Sequence, residues 1–247
     1  RGISRFHGME VGKKLINRLK DFSQVECEEV VGILCGRKDW VKGLFGELEA
    51  GKISRAMISP YHASQIHSLK NEELKGRLEK IWGVVRTSPE ALNKRKQKLK
   101  QELNSLHLSK ASFANGRVLY QQQCSSCHVL YGKGGKLGPD LTGSGRTNID
   151  YLLENIVDPN RAVSVDYRMN ILHLKDGRVL SGMIVGRDRN SLTLRMPSSE
   201  IVVSKSIIKT RETLSHSIMP VGLLDNLSRE ERRDLIAYLM NPVQVGK

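Results

Sequence analysis

Cys124-Ser125-Ser126-Cys127-His128 is the stretch whose reading decides the fold of this chain. Two thiols three residues apart can each add across one vinyl group of the same porphyrin. The histidine directly after the second thiol can then give an imidazole nitrogen to the iron. The pentapeptide therefore predicts one covalently attached haem c, with Cys124 and Cys127 on the porphyrin and His128 on the metal.

Two other uses of a Cys-x-x-Cys pair demand context that is missing. A structural zinc site takes two further Cys or His ligands at their own spacing. The remaining cysteines, Cys27 and Cys35, lie far upstream without such partners. A thioredoxin-like pair needs a helix opening at its first cysteine. Here the pattern over residues 115–123 predicts a helix that closes at the cysteines. Cys27 and Cys35 fall two turns apart in a helix-like stretch, about 12 Å, too far for a disulfide within one helix, and read as small buried residues, or one of them as bonded to a segment outside this sequence.

The chain of 247 residues suits one large or two small domains. Its net charge is +14, with 22 Lys/Arg against 13 Asp/Glu in residues 1–110 and 18 against 13 in residues 111–247. Such a balance favours an anionic partner: nucleic acid, anionic lipid or an acidic protein. The densest run, Lys94-Arg95-Lys96-Gln97-Lys98-Leu99-Lys100, has no interleaved aromatics. It reads as a solvated helix face, not a nucleic-acid site. No apolar run approaches the roughly 20 residues of a membrane span. The chain begins at Arg1 without a signal peptide, which reads as a processed or excised piece of a longer protein. Covalent haem attachment implies a periplasmic or extracytoplasmic location. No Ser/His/Asp, paired-carboxylate or phosphate-loop arrangement is present; Gly132-Lys133-Gly134-Gly135-Lys136 lacks the P-loop spacing.

Residues 1–110 carry helical apolar stripes at Leu15, Ile16 and Leu19, at Val30, Val31 and Leu34, and at Trp40, Val41, Leu44 and Leu48. Ser59-Pro60 predicts a helix start, and another follows near Asn71. Short helices with short turns suggest stacked hairpins of the HEAT or armadillo kind. Ser88-Pro89-Glu90 is expected to cap a basic linker helix to about Leu106. From residue 111 onward a second domain is expected, with Thr147 capping a helix that Asp158-Pro159 stops. The period then switches to two. Residues 168–175 and 179–186 alternate around Asp176-Gly177, a type I′ hairpin signal. Residues 191–196 and 201–203 continue a small antiparallel β-module at about 164–212. Ser228-Arg229-Glu230-Glu231 is a capping box for a final helix. The expected fold class is mainly α, with an inserted β-module.

A second axial ligand is sought among Met196, Met219, Met169, Met183, His173 and His216. Met196-Pro197 sits at an expected hairpin end. Met219-Pro220 lies in an irregular segment before the last helix, where proline restricts a loop able to drape over a ring face. Met219 is the candidate, with His216 the main rival for a bis-histidine site. Pro139 is placed to offer its carbonyl to His128, or is an ordinary turn proline. Arg146 is a candidate partner for a haem propionate, or a surface arginine.

These residues together resemble the class I cytochrome c fold over residues 112–240. Gly116 and Tyr120, the pentapeptide, Gly138-Pro139-Asp140-Leu141, Met219-Pro220 and Leu235-Ile236-Ala237-Tyr238-Leu239 occur in that family's order. The resemblance implies that Gly116 and Tyr120 cross the last helix near Tyr238, that Pro139 supports His128, and that Met219 is the distal ligand. Asp158-Pro159-Asn160-Arg161-Ala162-Val163, Asp176-Gly177-Arg178-Val179-Leu180-Ser181-Gly182 and residues 215–222 resemble the Planctomycetes–Verrucomicrobia haem-binding subgroup. That subgroup inserts a small β-module before the distal methionine. It often ends long secreted proteins, behind helical repeats and a β-propeller.

The function expected is one-electron transfer to a redox partner protein, with no nucleic acid and no membrane span. A six-coordinate His/Met haem has no open position for substrate. The competing readings are a haem enzyme or gas sensor with a labile distal ligand, and a scaffold in which haem is structural.

Overall fold

The computed structural model describes residues 8–197 and 199–244; Arg1 and the rest of the extreme termini lie outside them. About 47% of it is helix and 19% strand. The molecule is therefore mixed α/β, not mainly α, because the β-module forms a full five-stranded sheet. Among the described residues no helix is long and apolar enough to cross a membrane.

The apolar stripes of the first region become five helices: α1 (Met9–Asn17), α2 (Gln24–Cys35), α3 (Lys38–Glu49), α4 (Pro60–His67) and α5 (Glu72–Ile81). α3 packs on α1, α2 and α5, and α4 packs on α2 and α5. Leu34, Val41, Leu44, Phe45, Leu74 and Trp82 fill the core between them. Capping boxes start α2 at Ser23 and α4 at Ser59, each satisfying N–H groups that the helix leaves without partners.

A short strand, β1 (Gly83–Val85), follows α5 and was not expected from sequence. It pairs antiparallel with a strand numbered β4 below (Ala162–Ser164). Gly83 has φ 148°, and a Cβ there would meet the Val163 carbonyl oxygen at 2.3 Å. Three-residue strands are too short to display alternation, and each is defined only by the other.

The basic linker helix, α6 (Glu90–Glu102), ends before Leu106, and a separate turn of helix follows, α7 (Ser105–Leu108). Asn104 breaks the run by capping α7, accepting the His107 N–H at 3.0 Å. Ser88 does not cap α6. It is buried and accepts from Arg161 Nη1 at 2.8 Å. The basic run does present a solvated face, with Lys94, Gln97, Lys98 and Lys100 exposed, but its other side is held to the second region. Arg95 pairs with Asp225, Lys96 with Glu154 and Lys100 with Asp150, while Leu99 and Leu103 enter the core of the second region.

The second region contains α8 (Phe113–Gln123), a minimal hairpin of β2 (Val129–Leu130) and β3 (Lys133–Gly134), α9 (Ile149–Val157), β4 and the last helix, α10 (Arg229–Met240). Asn148, not Thr147, caps α9. The capping box at Ser228 is present as expected. α8 crosses α10 at Gly116, where a Cβ would stand 2.1 Å from the Asp234 carbonyl oxygen. The Tyr120 and Tyr238 rings meet beside that crossing, 5.8 Å apart.

The sheet comprises β5 (Arg168–Leu174), β6 (Val179–Arg187), β7 (Ser191–Arg195), β8 (Glu200–Ser204) and β9 (Ile208–Ser217), in the antiparallel order β8-β7-β6-β5-β9. Leu172, Leu174, Leu194 and Val203 form its small core. The β5–β6 turn is not type I′, which needs two residues at positive φ. Only Gly177 has positive φ, and its N–H bonds to the Leu174 carbonyl. β9 runs past residue 212 to Ser217, so the module ends two residues before Met219.

Candidate functional site

α8 delivers Cys124 at its C-terminal end. The next turn closes on itself: the N–H groups of Cys127 and His128 both donate to the Cys124 carbonyl, at 3.1 and 2.9 Å. Tyr120 Oη donates to the His128 carbonyl at 2.7 Å. Gly134, at φ 129°, passes so close that a Cβ would lie 2.0 Å from the same oxygen. The pentapeptide is thus clamped from its helix and from the β2–β3 hairpin.

His128 Nδ1 lies 2.9 Å from the Pro139 carbonyl oxygen. A carbonyl only accepts, so the bond fixes the proton on Nδ1 and leaves the Nε2 lone pair free. Burial also holds the ring below the usual histidine range, which favours the neutral form. Gly138 lies against the ring, where a Cβ would come within 2.3 Å of Cε1. The backbone of residues 138–139 therefore orients this imidazole.

The ring faces a cavity of about 450 Å³, within the usual range of cofactor sites. Cys124, Cys127, His128, Pro139 and Met219 all line it. Cys124 and Cys127 are free thiols, and burial pushes that of Cys124 up to about 12. Leu137, Leu141, Leu152, Ile156, Leu223 and Leu239 make much of the wall apolar. Met219 is half-buried against the core, its N–H held by Ser217 Oγ at 3.1 Å. His216 is exposed and does not line the cavity. Met196, Met169, Met183 and His173 also lie away from it, all in or beside the sheet. A flat apolar ligand with the Cys124 and Cys127 thiols, one oriented imidazole and the Met219 thioether around it fits haem c; the Cys27 thiol and the Met57 thioether line the same cavity from the helical region.

Arg146 does not reach this cavity and is not on the surface. It is 2% exposed, and its guanidinium donates to Leu239, Asn241 and Pro242 carbonyls at the C-terminal end of α10. It caps that helix, satisfying carbonyls that lack partners within it and opposing the negative end of its dipole. Tyr131 Oη adds a bond to the Asn241 carbonyl at 2.5 Å. No sequence signal ties Arg146 to carbonyls more than ninety residues away.

One wall of the cavity comes from the helical region: Gln24, Cys27 and Glu28 of α2, with Met57, Ser59 and Trp82. The Gln24 side chain packs against Gly143, where a Cβ would fall 2.1 Å from its Cδ. Sequence reasoning missed all of these residues, since helix periodicity identifies a buried face but not what it faces. Among the described residues no Lys or Arg lines the cavity.

Residues 111–166 match the family model described as cytochrome C oxidase, cbb3-type, subunit III. That match supports a c-type cytochrome domain. It spans α8, the pentapeptide and α9, and ends before the five-stranded sheet and Met219. No curated protein matches the chain. A c-type cytochrome domain implies haem c and a haem-binding, electron-transfer role in general.

Proposed function

We propose that this chain binds a single haem c in the cavity described and acts as a one-electron relay with His128 and Met219 as axial ligands. Cys124 and Cys127 hold the porphyrin through thioethers. His128 offers Nε2 to the iron because its Nδ1 proton is committed to Pro139. That hydrogen bond, beside two thiols and Met219 on one cavity, carries the reading. Met219 is favoured over His216 because only Met219 reaches the cavity wall. When bound, the haem supplies a reversible Fe(III)/Fe(II) couple. The residues around it attach and orient it and limit the access of water.

The redox module is proposed to belong to a larger secreted, extracytoplasmic protein of the Planctomycetes–Verrucomicrobia type, exchanging electrons with a redox partner protein. The packing of α1 to α5 on one another as short helices supports reading the first region as HEAT-like repeats. The sheet inserted before Met219 supports the subgroup resemblance. Intact mass should show one haem that survives denaturation. The reduced protein should not bind carbon monoxide, because Met219 occupies the distal position. Ready carbon monoxide binding would instead favour a haem enzyme or sensor.

A further inference from the structure

We propose that Glu28 takes up a proton when the site is reduced and releases it on oxidation, coupling electron transfer to proton transfer through the helical region. The inference rests on the haem reading above and adds a function that the attachment motif does not carry.

Glu28 lies on α2 and lines the same cavity as His128 and Met219. Its side chain is only 20% exposed. Its carboxylate stands beside Gly145, whose added Cβ would lie 3.1 Å from Oε1, and the neighbouring Ser59 hydroxyl and Gly145 N–H partly offset the effect of burial on it. From α4 it faces His62, whose Nε2 lies 3.6 Å from Oε1, too long for a hydrogen bond. His62 is no counter-charge: it is itself buried, and burial pushes its ring down to about 4, leaving it neutral. From α9 it faces the buried Tyr151 phenol, and on its own helix the buried Cys35 thiol. Burial, together with the charge of Glu28, pushes both of these up and keeps them neutral. Asp140 and Tyr167 line the cavity elsewhere, and Glu26 and Glu29 on α2 are exposed.

Among the described residues the Glu28 carboxylate therefore faces neutral groups, and no Lys or Arg pairs with it. Burial pushes its carboxyl up to about 7. An electron added to the same cavity makes a second negative charge there more costly and tightens the proton further. At an effective dielectric near 20, a unit charge about 12 Å away changes proton affinity by about tenfold. The step balances simply. One electron from a one-electron carrier takes ferric iron to ferrous, and one proton from water forms an O–H bond on the Glu28 carboxylate. Oxidation reverses both.

The test is the midpoint potential of the full chain, titrated with mediators from about pH 5.5 to about pH 8.5, in wild type and Glu28→Gln. The reduced state binds the proton more tightly, so the wild-type potential should fall as pH rises through neutrality. A tenfold difference in affinity corresponds to a total fall of about 59 mV. Glu28→Gln should be flat, close to the low-pH wild-type value. The same pH dependence in Glu28→Gln would overturn the proposal, as would a flat wild-type potential with haem attached. Absorption spectra of the same samples report haem attachment and ligation. A failure of the electron-transfer reading is thus visible separately from a failure of the coupling. Redox-difference infrared spectroscopy on wild type needs no variant. Reduction near neutral pH should add a protonated-carboxyl band that shifts in heavy water, and its absence would count against Glu28.

Discussion

Pro139 and Gly138 act through their backbone: one supplies a carbonyl oxygen to His128, the other the missing Cβ that lets the ring approach. Glu28 acts through its environment, and this has a consequence for stability. Its carboxyl binds the proton more tightly folded, at about 7, than at the ordinary value of 4.5. Between those values the native state holds more proton than the unfolded state, so stability falls as pH rises through the window. Above it the cost reaches up to about 3 kcal/mol. Glu28→Gln should therefore be more stable than wild type in urea unfolding at about pH 8, with the difference gone below about pH 4.5. His62 works in the opposite sense. Held neutral down to about 4, it costs stability as pH falls below its unfolded value.

At the scale of elements, the crossing of α8 on α10 sets where the pentapeptide stands. Gly116 has no room for a methyl, because the obstacle is the Asp234 backbone carbonyl. Gly116→Ala should push the helices apart and cost about 1–3 kcal/mol of stability, read from the urea midpoint. Elements written in local signals were legible from sequence. Ser59-Pro60 and Ser228 start their helices because capping is settled within four residues. The closure of α8 at Cys124 was legible in the same way, whereas spacing left the Pro139 carbonyl open and only the family resemblance pointed it at His128. Features set by distant partners were not. β1 exists because β4 lies beside it, and Arg146 is directed by the end of α10. The β5–β6 turn misled because Asp-Gly serves both a two-residue type I′ turn and a turn closed by glycine alone.

Across the whole molecule the helical region and the haem-site region share structure instead of merely being linked. β1 pairs with β4, α6 places Leu99 and Leu103 in the second core, and α2 walls the cavity. Glu154 ties these parts together. It pairs with Lys96 of α6 and with Arg161, all three side chains being no more than 20% exposed. Glu154→Ala strands two cations in a mostly buried site and should destabilise by about 3 kcal/mol. Lys96→Met made in the Glu154→Ala background should recover part of that loss, a coupling measurable in a double-mutant cycle.

The central claim is that one cavity holds haem between His128 and Met219, and the absorption spectrum of the oxidised protein tests it most directly. Wild type should show the weak red-end band of ferric iron bound by a thioether. Met219→Ala should keep the covalent haem but lose that band, while His216→Ala should retain it. A wild-type protein without haem, or a Met219→Ala spectrum identical to wild type, would contradict the account.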